Sequence, residues 1–243
     1  MKPEFLTPKN LHAPEVIFES ADFFIAYKPP KMHSAPGSGP SLAEWCALRF
    51  PEINKITGRG GYGLLHRLDY ETHGLLLFAR NQKSFDMFTL MQERGEVIKE
   101  YGVLAAEASG AIAGFPPFTY ENPGGLPPVI ASQFRPYGPG RKEVRPCAIS
   151  GLGKNYSTVI LKNNICPAGS CRYMEVRIEK GFRHQIRCHL AWAGFPVLND
   201  PLYGGKKAGV GFLGLRAASL RFTDPGTEKE LFYTLPELDF FDI

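Results

Sequence analysis

Hydrophobic and polar positions change period several times along the chain, and each change predicts an element. VIFESADFFIAYK (16–28) holds two segments rich in Val, Ile and Phe around Ala21-Asp22, which predicts a β-hairpin. KPPKMHSAPGSGP (28–40) breaks regular structure with four prolines and two glycines. Ser41 is then placed to cap a helix through SLAEWCALRF, with Glu44 in the capping-box position. GLLLFAR (74–80) is an apolar run suited to a buried strand. Asn81 can cap a following helix, whose Phe85, Phe88 and Met91 recur at helical spacing until Gly95 ends it. IKEYGVLAA (98–106), STVILKN (157–163) and CRYMEVRIEK (171–180) read as strands, the last alternating Met174, Val176 and Ile178 with Tyr173, Glu175, Arg177 and Glu179. HQIRCHLAWAG (184–194) predicts a helix stopped at Gly194, with Pro196 just beyond. Residues 1–14 read as an N-terminal arm, and 108–153 as a loop-rich segment of weak pattern.

Many strands and few helices predict the α+β class, with a mixed, mainly antiparallel β-sheet core and flanking helices and loops. At 243 residues, 44% of them hydrophobic, a single domain over 1–243 has ample material for its core. No stretch approaches the ~18 apolar residues of a membrane span, and the start lacks the apolar run of a signal peptide, so a soluble, cytoplasmic protein is expected. Five scattered cysteines without a C-x-x-C pair suit a reducing compartment. Free thiols are the favoured reading, and a Cys166–Cys171 bridge the less favoured one.

The net charge of +4 diagnoses nothing alone, but its distribution is uneven. Arg135 to Arg187 holds eleven Lys/Arg against three Glu, while Asp224 to Ile243 holds six acidic residues against Lys229 alone. An anion-facing surface and a merely solvated charged face both fit this asymmetry.

Two stretches concentrate candidate chemistry. In GYGLLHRLDYETHGLLLFAR the polar residues His66, Arg67, Asp69, Glu71, Thr72 and His73 lie between two apolar runs, as in a site held by a rigid scaffold or in an ordinary hydrogen-bonded turn. In EKGFRHQIRCHLAWAG, Arg183 and His184 precede Arg187 at the start of the predicted helix. The i,i+4 spacing of the two arginines should put them on one face, which an anion opposite would explain.

Other motifs carry less. TGRGGYG contains G-x-G-x-x-G at Gly58, Gly60 and Gly63, but it follows no clear strand and opens no helix; HRLD lacks the companion motifs of a kinase. His66, His73, His184 and His189 with Cys188 lack a second clustered ligand pair, so structural histidines and no metal are expected.

HRLDYETHGLLLFAR resembles the signature H-R-L-D-x-x-T-S-G-L-L-L-x-A of RluA-type RNA pseudouridine synthases, and GFRHQIRCHLAWAGFPVLNDPLYG resembles their G-R-x-H-Q-I-R-x-H-L-x-x-x-G-x-P-x-x-x-D-x-x-Y-G. KPPKMHSAP resembles the family's K-P-x-G-x-x-x-H-P, and KEYGVLA its K-x-Y-x-A-L-V. Four ordered motifs cover most of residues 27–204. In the first two of these signatures two positions depart: His73 stands for Ser, and Phe182 stands for Arg, with Arg183 one place later.

The resemblance implies the pseudouridine synthase fold as a stand-alone catalytic domain with no S4 domain. It implies an isomerase (an intramolecular transferase) that converts a flipped-out uridine of a ribosomal or transfer RNA stem-loop to pseudouridine, with no cofactor. It makes Asp69 the nucleophile, Arg187 its ion-pair partner, Tyr101 the ring packed on the target base and Arg67 the side chain entering the vacated stack. Rotating and rejoining a base calls for a group that holds sugar or base covalently, which a carboxylate can do, whether it attacks C1′ or abstracts a sugar proton. An aromatic ring offers stacking of about 1–3 kcal/mol against the cost of extracting the nucleotide. His66, Arg183, His184, Arg141 and Lys142 are the further candidate RNA contacts, in a monomer without an obligatory protein partner. An RNA-binding protein that kept this scaffold without catalysis is the alternative.

Overall fold

A computed structural model describes residues 2–58, 60–108, 110, 112–120, 125–149, 151, 153–167, 169, 171–209 and 211–236. In chain order the elements are β1 (Glu4–Phe5), β2 (Glu15–Glu19), β3 (Phe23–Lys28), α1 (Leu42–Arg49), β4 (His73–Ala79), α2 (Gln82–Arg94), β5 (Ile98–Ala105), β6 (Val129–Tyr137), β7 (Glu143–Cys147), β8 (Tyr156–Ile165), β9 (Arg172–Ile178), α3 (Gln185–Trp192), β10 (Leu215–Thr223) and β11 (Glu230–Thr234). They build two compact units, one drawn from Met1–Glu100 and Arg216–Leu238, the other from Tyr101–Leu215.

In the first unit the strand order is β2-β3-β4-β10, with β11 on β10 and β1 on β11. β2/β3, β3/β4 and β10/β11 are antiparallel, whereas β4/β10 and β1/β11 are parallel. All residues of β3 and β4 are buried, because both faces are covered. On one face Phe23, Leu75 and Leu77 join Phe88 of α2. On the other, Phe24 stacks between Phe78 and Phe50, with ring centroids 4.8 and 4.5 Å away. The helix ends follow local chemistry: Ser41 Oγ accepts from Glu44 N–H, Asn81 Oδ1 accepts from Ser84 N–H, and Gly95 closes α2 in the left-handed region.

In the second unit the order is β5-β9-β8-β6-β7, with β8/β9, β6/β8 and β6/β7 antiparallel. β9 buries Met174, Val176 and Ile178, as its alternation predicts. α3 ends where Gly194 takes φ +87° and Phe195 N–H reaches Leu190 C=O.

Three expectations need correction. The segment expected to be loop-rich contains the β6–β7 hairpin. Its pattern is weak because Pro136 and Pro146 interrupt it, and because a buried arginine stands where an apolar residue would signal a strand. Arg145 pairs with Glu143 at 2.7 Å, and its guanidinium carbon lies 4.3 Å from the Tyr137 ring centroid and 4.5 Å from that of Phe115. Cys166 and Cys171 are disulfide-bonded, since the β8–β9 turn brings their Cα atoms within 5.5 Å. Arg183 and Arg187 do not share a helix face: His184 takes φ +56°, α3 begins at Gln185, and Arg183 is exposed while Arg187 is buried. The acidic stretch from 237 onward lies outside the described residues, among which no helix is long and apolar enough to cross a membrane.

Candidate active site

Asp69 opens a four-residue turn in the first unit, its carbonyl accepting from Thr72 N–H at 3.1 Å, directly before β4. The chain entering this turn lies along β4, with Leu65 N–H on Leu77 C=O and Leu77 N–H on His66 Nε2. Burial and the nearby Lys99 charge push the His66 pKa down to about 3, so the ring stays neutral; its Nδ1 is buried with no hydrogen-bond partner among the described residues. Asp69 is partly exposed and Arg67 exposed.

Two side chains, Lys28 at the end of β3 and Ser34 in the proline-rich loop, clamp the turn. Fully buried Lys28 donates through Nζ to the carbonyls of Pro29 (2.9 Å), Met32 (2.8 Å) and Tyr70 (3.2 Å), which uses all three donors of an ammonium. Burial pushes its pKa down to about 7, while Asp69 and Glu71 pull it back up. Ser34 Oγ donates to Leu68 C=O at 2.8 Å and accepts from Leu68 N–H at 2.9 Å. The backbone on both sides of Asp69 is thereby fixed.

The first residues of β4 close the clamp. At Gly74, with φ +122°, a Cβ would stand 2.2 Å from Ala217 C=O on β10, so only glycine fits the β4/β10 approach. His73, where the family signature has Ser, is buried as the first residue of β4; burial, Arg216 and Lys28 push its pKa down to about 3. Lys31 holds the fourth place of K-P-x-G at φ +59°, a left-handed conformation that explains the family's glycine there.

In the second unit, buried Arg187 makes a two-pronged pair with Asp200, Nε–Oδ2 at 2.7 Å and Nη2–Oδ1 at 2.8 Å. Asp200 Oδ1 also accepts from Leu202 and Tyr203 N–H, which fixes the tight D-P-L-Y-G turn. Tyr203 is fully buried and its pKa is raised by burial, so its hydroxyl keeps its proton. That oxygen accepts from Val144 N–H and lies 3.0 Å from His184 Nδ1, within hydrogen-bond distance. Tyr101 is buried on β5.

Arg183 donates through Nη2 to the backbone carbonyls of Arg141 and Glu143, fastening the turn that carries exposed Arg141 and Lys142. Phe182 stacks face to face on Phe134 (centroids 5.0 Å, planes 4° apart), which in turn stacks on His189. The departure from Arg thus extends an aromatic stack. His189 is held neutral by burial, between Ser132 Oγ and Thr158 Oγ1 at 2.9 Å each, as a structural histidine.

The candidates accordingly divide: Asp69, Arg67 and His66 belong to the first unit, and Arg187, Tyr101, Arg183, His184, Arg141 and Lys142 to the second. Within the units the structure joins Asp69 electrostatically to Lys28, Arg183 to Arg141, and His184 to Tyr203. Sequence reasoning gave no role to Lys28, Ser34, Asp200 or Tyr203, although each lies inside a quoted motif.

A family model described as RNA pseudouridylate synthase matches residues 22–192. The ribosomal large subunit pseudouridine synthase D of Buchnera aphidicola subsp. Schizaphis graminum is 28% identical over 211 residues, covering 84% of this chain and 58% of that protein. An uncharacterized RNA pseudouridine synthase of Bacillus subtilis, YlyB, is 27% identical over 228 residues, covering 91% and 68%. The chain thus spans about three-fifths to two-thirds of the length of these relatives. The solved structure of human RNA pseudouridylate synthase domain containing 1 superposes with a TM-score of 0.65 at 21% identity, covering 96% of this chain and 86% of that one, which establishes the α+β pseudouridine synthase fold. The extent of the family match shows that this chain belongs to the RluA-type RNA pseudouridylate synthase family.

Proposed function

We propose that this protein isomerises specific uridines to pseudouridine in structured RNA, with Asp69 as the nucleophilic carboxylate. The observation that carries this reading is the clamped turn: Lys28 and Ser34 fix the backbone on either side of a partly exposed aspartate. A carboxylate that must meet one atom of a flipped nucleotide benefits from such preorganisation, because small misplacements cost large factors in rate. The roles that the motif resemblance gives Tyr101, Arg187 and Arg67 belong to the same proposal. Ribosomal RNA is the substrate class favoured by the name of the Buchnera relative; transfer RNA is the other class to test.

The test is direct. Purified protein is incubated with transcribed ribosomal and transfer RNA, and the digested RNA is analysed for pseudouridine by mass spectrometry. Wild type is expected to form pseudouridine, and Asp69→Asn, nearly isosteric, to fold and bind RNA without turnover. Pseudouridine formation by Asp69→Asn would overturn the assignment, and its absence with wild type on every RNA would favour a binding role alone.

A further inference from the structure

The turn that carries Asp69 also presents an aromatic ring. Tyr70 is 45% exposed, while most large hydrophobic side chains of the first unit are buried. Exposed aromatic residues among those described are Phe5, Tyr70 and Tyr120, and Tyr70 alone adjoins a candidate catalytic group. Isolated surface aromatics are common, so exposure itself carries no function. Three further observations set this one apart.

First, the ring does not stand on a loose loop. The Tyr70 carbonyl is held by Lys28 Nζ at 3.2 Å, within the turn closed by Asp69 C=O and Thr72 N–H. Second, the ring is backed by another: the His33 imidazole lies 4.8 Å away, centroid to centroid, tilted by 43°. His33 is itself tied to the start of α1, its carbonyl accepting from Leu42 N–H at 2.8 Å. Third, its polar neighbours suit a nucleotide. Exposed Arg67 and Lys31 lie on the same two clamped segments, and the only carboxylates beside Tyr70 on the turn are those of Asp69 and partly buried Glu71.

From this geometry we infer that Tyr70, backed by His33, is a stacking platform for a nucleobase that flanks the target uridine, and that it holds the RNA by that flanking nucleotide. A pre-ordered ring loses little conformational freedom when a base stacks on it, and stacking tolerates any base while favouring purines with larger faces. The inference rests on the reading of the substrate as RNA.

The experiment uses a panel of stem-loop RNAs with 2-aminopurine at successive loop positions, whose fluorescence is quenched when the base stacks on an aromatic ring. Wild type should quench one position strongly. Tyr70→Ala should abolish that quench and weaken binding roughly 5- to 150-fold, the span of base–aromatic stacking. Tyr70→Phe should keep both, and His33→Ala should give an intermediate loss. An abasic site at the quenched position should weaken wild type by the same factor as Tyr70→Ala and leave Tyr70→Ala unaffected. Equal losses from the abasic site in wild type and Tyr70→Ala, or wild-type binding with no position-dependent quench, would overturn the inference. Pseudouridine formation is scored separately on the same RNAs. Tyr70-dependent stacking without turnover would sink the proposed activity and leave the platform standing, whereas failure of wild type to bind any RNA would overturn both.

Discussion

Arg187 and Asp200 form a fully buried, two-pronged ion pair, at 2.7 and 2.8 Å. Removing one member breaks a buried, hydrogen-bonded ion pair, which costs about 3–5 kcal/mol. Asp200→Asn and Arg187→Met are each expected to lower stability to urea by about that amount, and Arg187→Met with Asp200→Asn to lose less than the sum of the two. Equilibrium urea unfolding of the two single variants and the double variant reads the coupling directly. Additive losses would mean that the pair contributes nothing as a pair.

Lys28 gives a pH dependence with a defined sign. Its native pKa of about 7 lies below the ordinary value of 10.5, so between these values the unfolded chain holds a proton that the native chain has released. Its contribution to stability is least below about pH 7 and rises as pH climbs from 7 toward 10.5. Function should move the other way, because deprotonation removes one of three N–H donors and slackens the turn that carries Asp69. Wild-type kcat is expected to fall as pH rises through 7. Lys28→Met should lower kcat and stability by leaving carbonyls unpaired, at about 1–3 kcal/mol each, and should flatten the stability profile between pH 7 and 10. A Lys28→Met enzyme with the wild-type pH profile in both measurements would count against this account.

The exposed Arg141 and Lys142 sit on a turn fastened by Arg183. If they contact phosphates, Arg141→Ala should reduce the slope of log K against log salt by about 0.7 to 0.9 and weaken all RNAs alike. Arg183→Ala should act indirectly, loosening the turn and flattening the slope by a similar amount. Arg67→Ala should lower kcat/KM while leaving the slope near wild type. Filter binding across a salt series separates Arg141→Ala and Arg183→Ala from Arg67→Ala, and one common slope for all of them would place the RNA path elsewhere.

The Cys166–Cys171 bond closes a short loop, for which the chain-entropy estimate is about 2 kcal/mol. Reduction, or Cys166→Ser with Cys171→Ser, should lower stability by that order. Alkylation followed by intact mass measurement should find three reactive thiols under denaturing, non-reducing conditions, those of Cys46, Cys147 and Cys188. Five would show the bond absent in solution.

Local signals in the sequence were the readable ones. Ser41, Asn81, Gly95 and Gly194 act within a single helical turn, and the alternation of β9 repeats over its whole length, so each needs no knowledge of the rest of the chain. β6 and β7 escaped because their buried side chains include Ser132, Gln133 and Arg145, whose partners His189, Asn155 and the Ala113 carbonyl are distant in sequence. The helical spacing of Arg183 and Arg187 misled, because a left-handed His184 shifts the start of α3 past Arg183. For the site, the ordered motifs marked the correct stretches, but the tasks of Lys28 and Asp200 were hidden. Lys28 serves a carbonyl 42 residues away, and Asp200 completes an arginine 13 residues earlier.

Ser34 makes both of its hydrogen bonds to the backbone of one residue, Leu68, as a neighbouring strand would. With Lys28 bridging to Tyr70, segments 28–34 and 66–73 have no independent way to open, since releasing either one strands buried donors and acceptors on the other. Amide exchange in the two segments should therefore follow a single opening free energy, and Ser34→Ala should speed exchange at Leu68 and around it by about tenfold without altering exchange in β9. In kinetic terms, the candidate nucleophile is tied to a cooperative unit that begins forty residues earlier in the chain, so a lesion in the proline-rich loop will present as a catalytic defect.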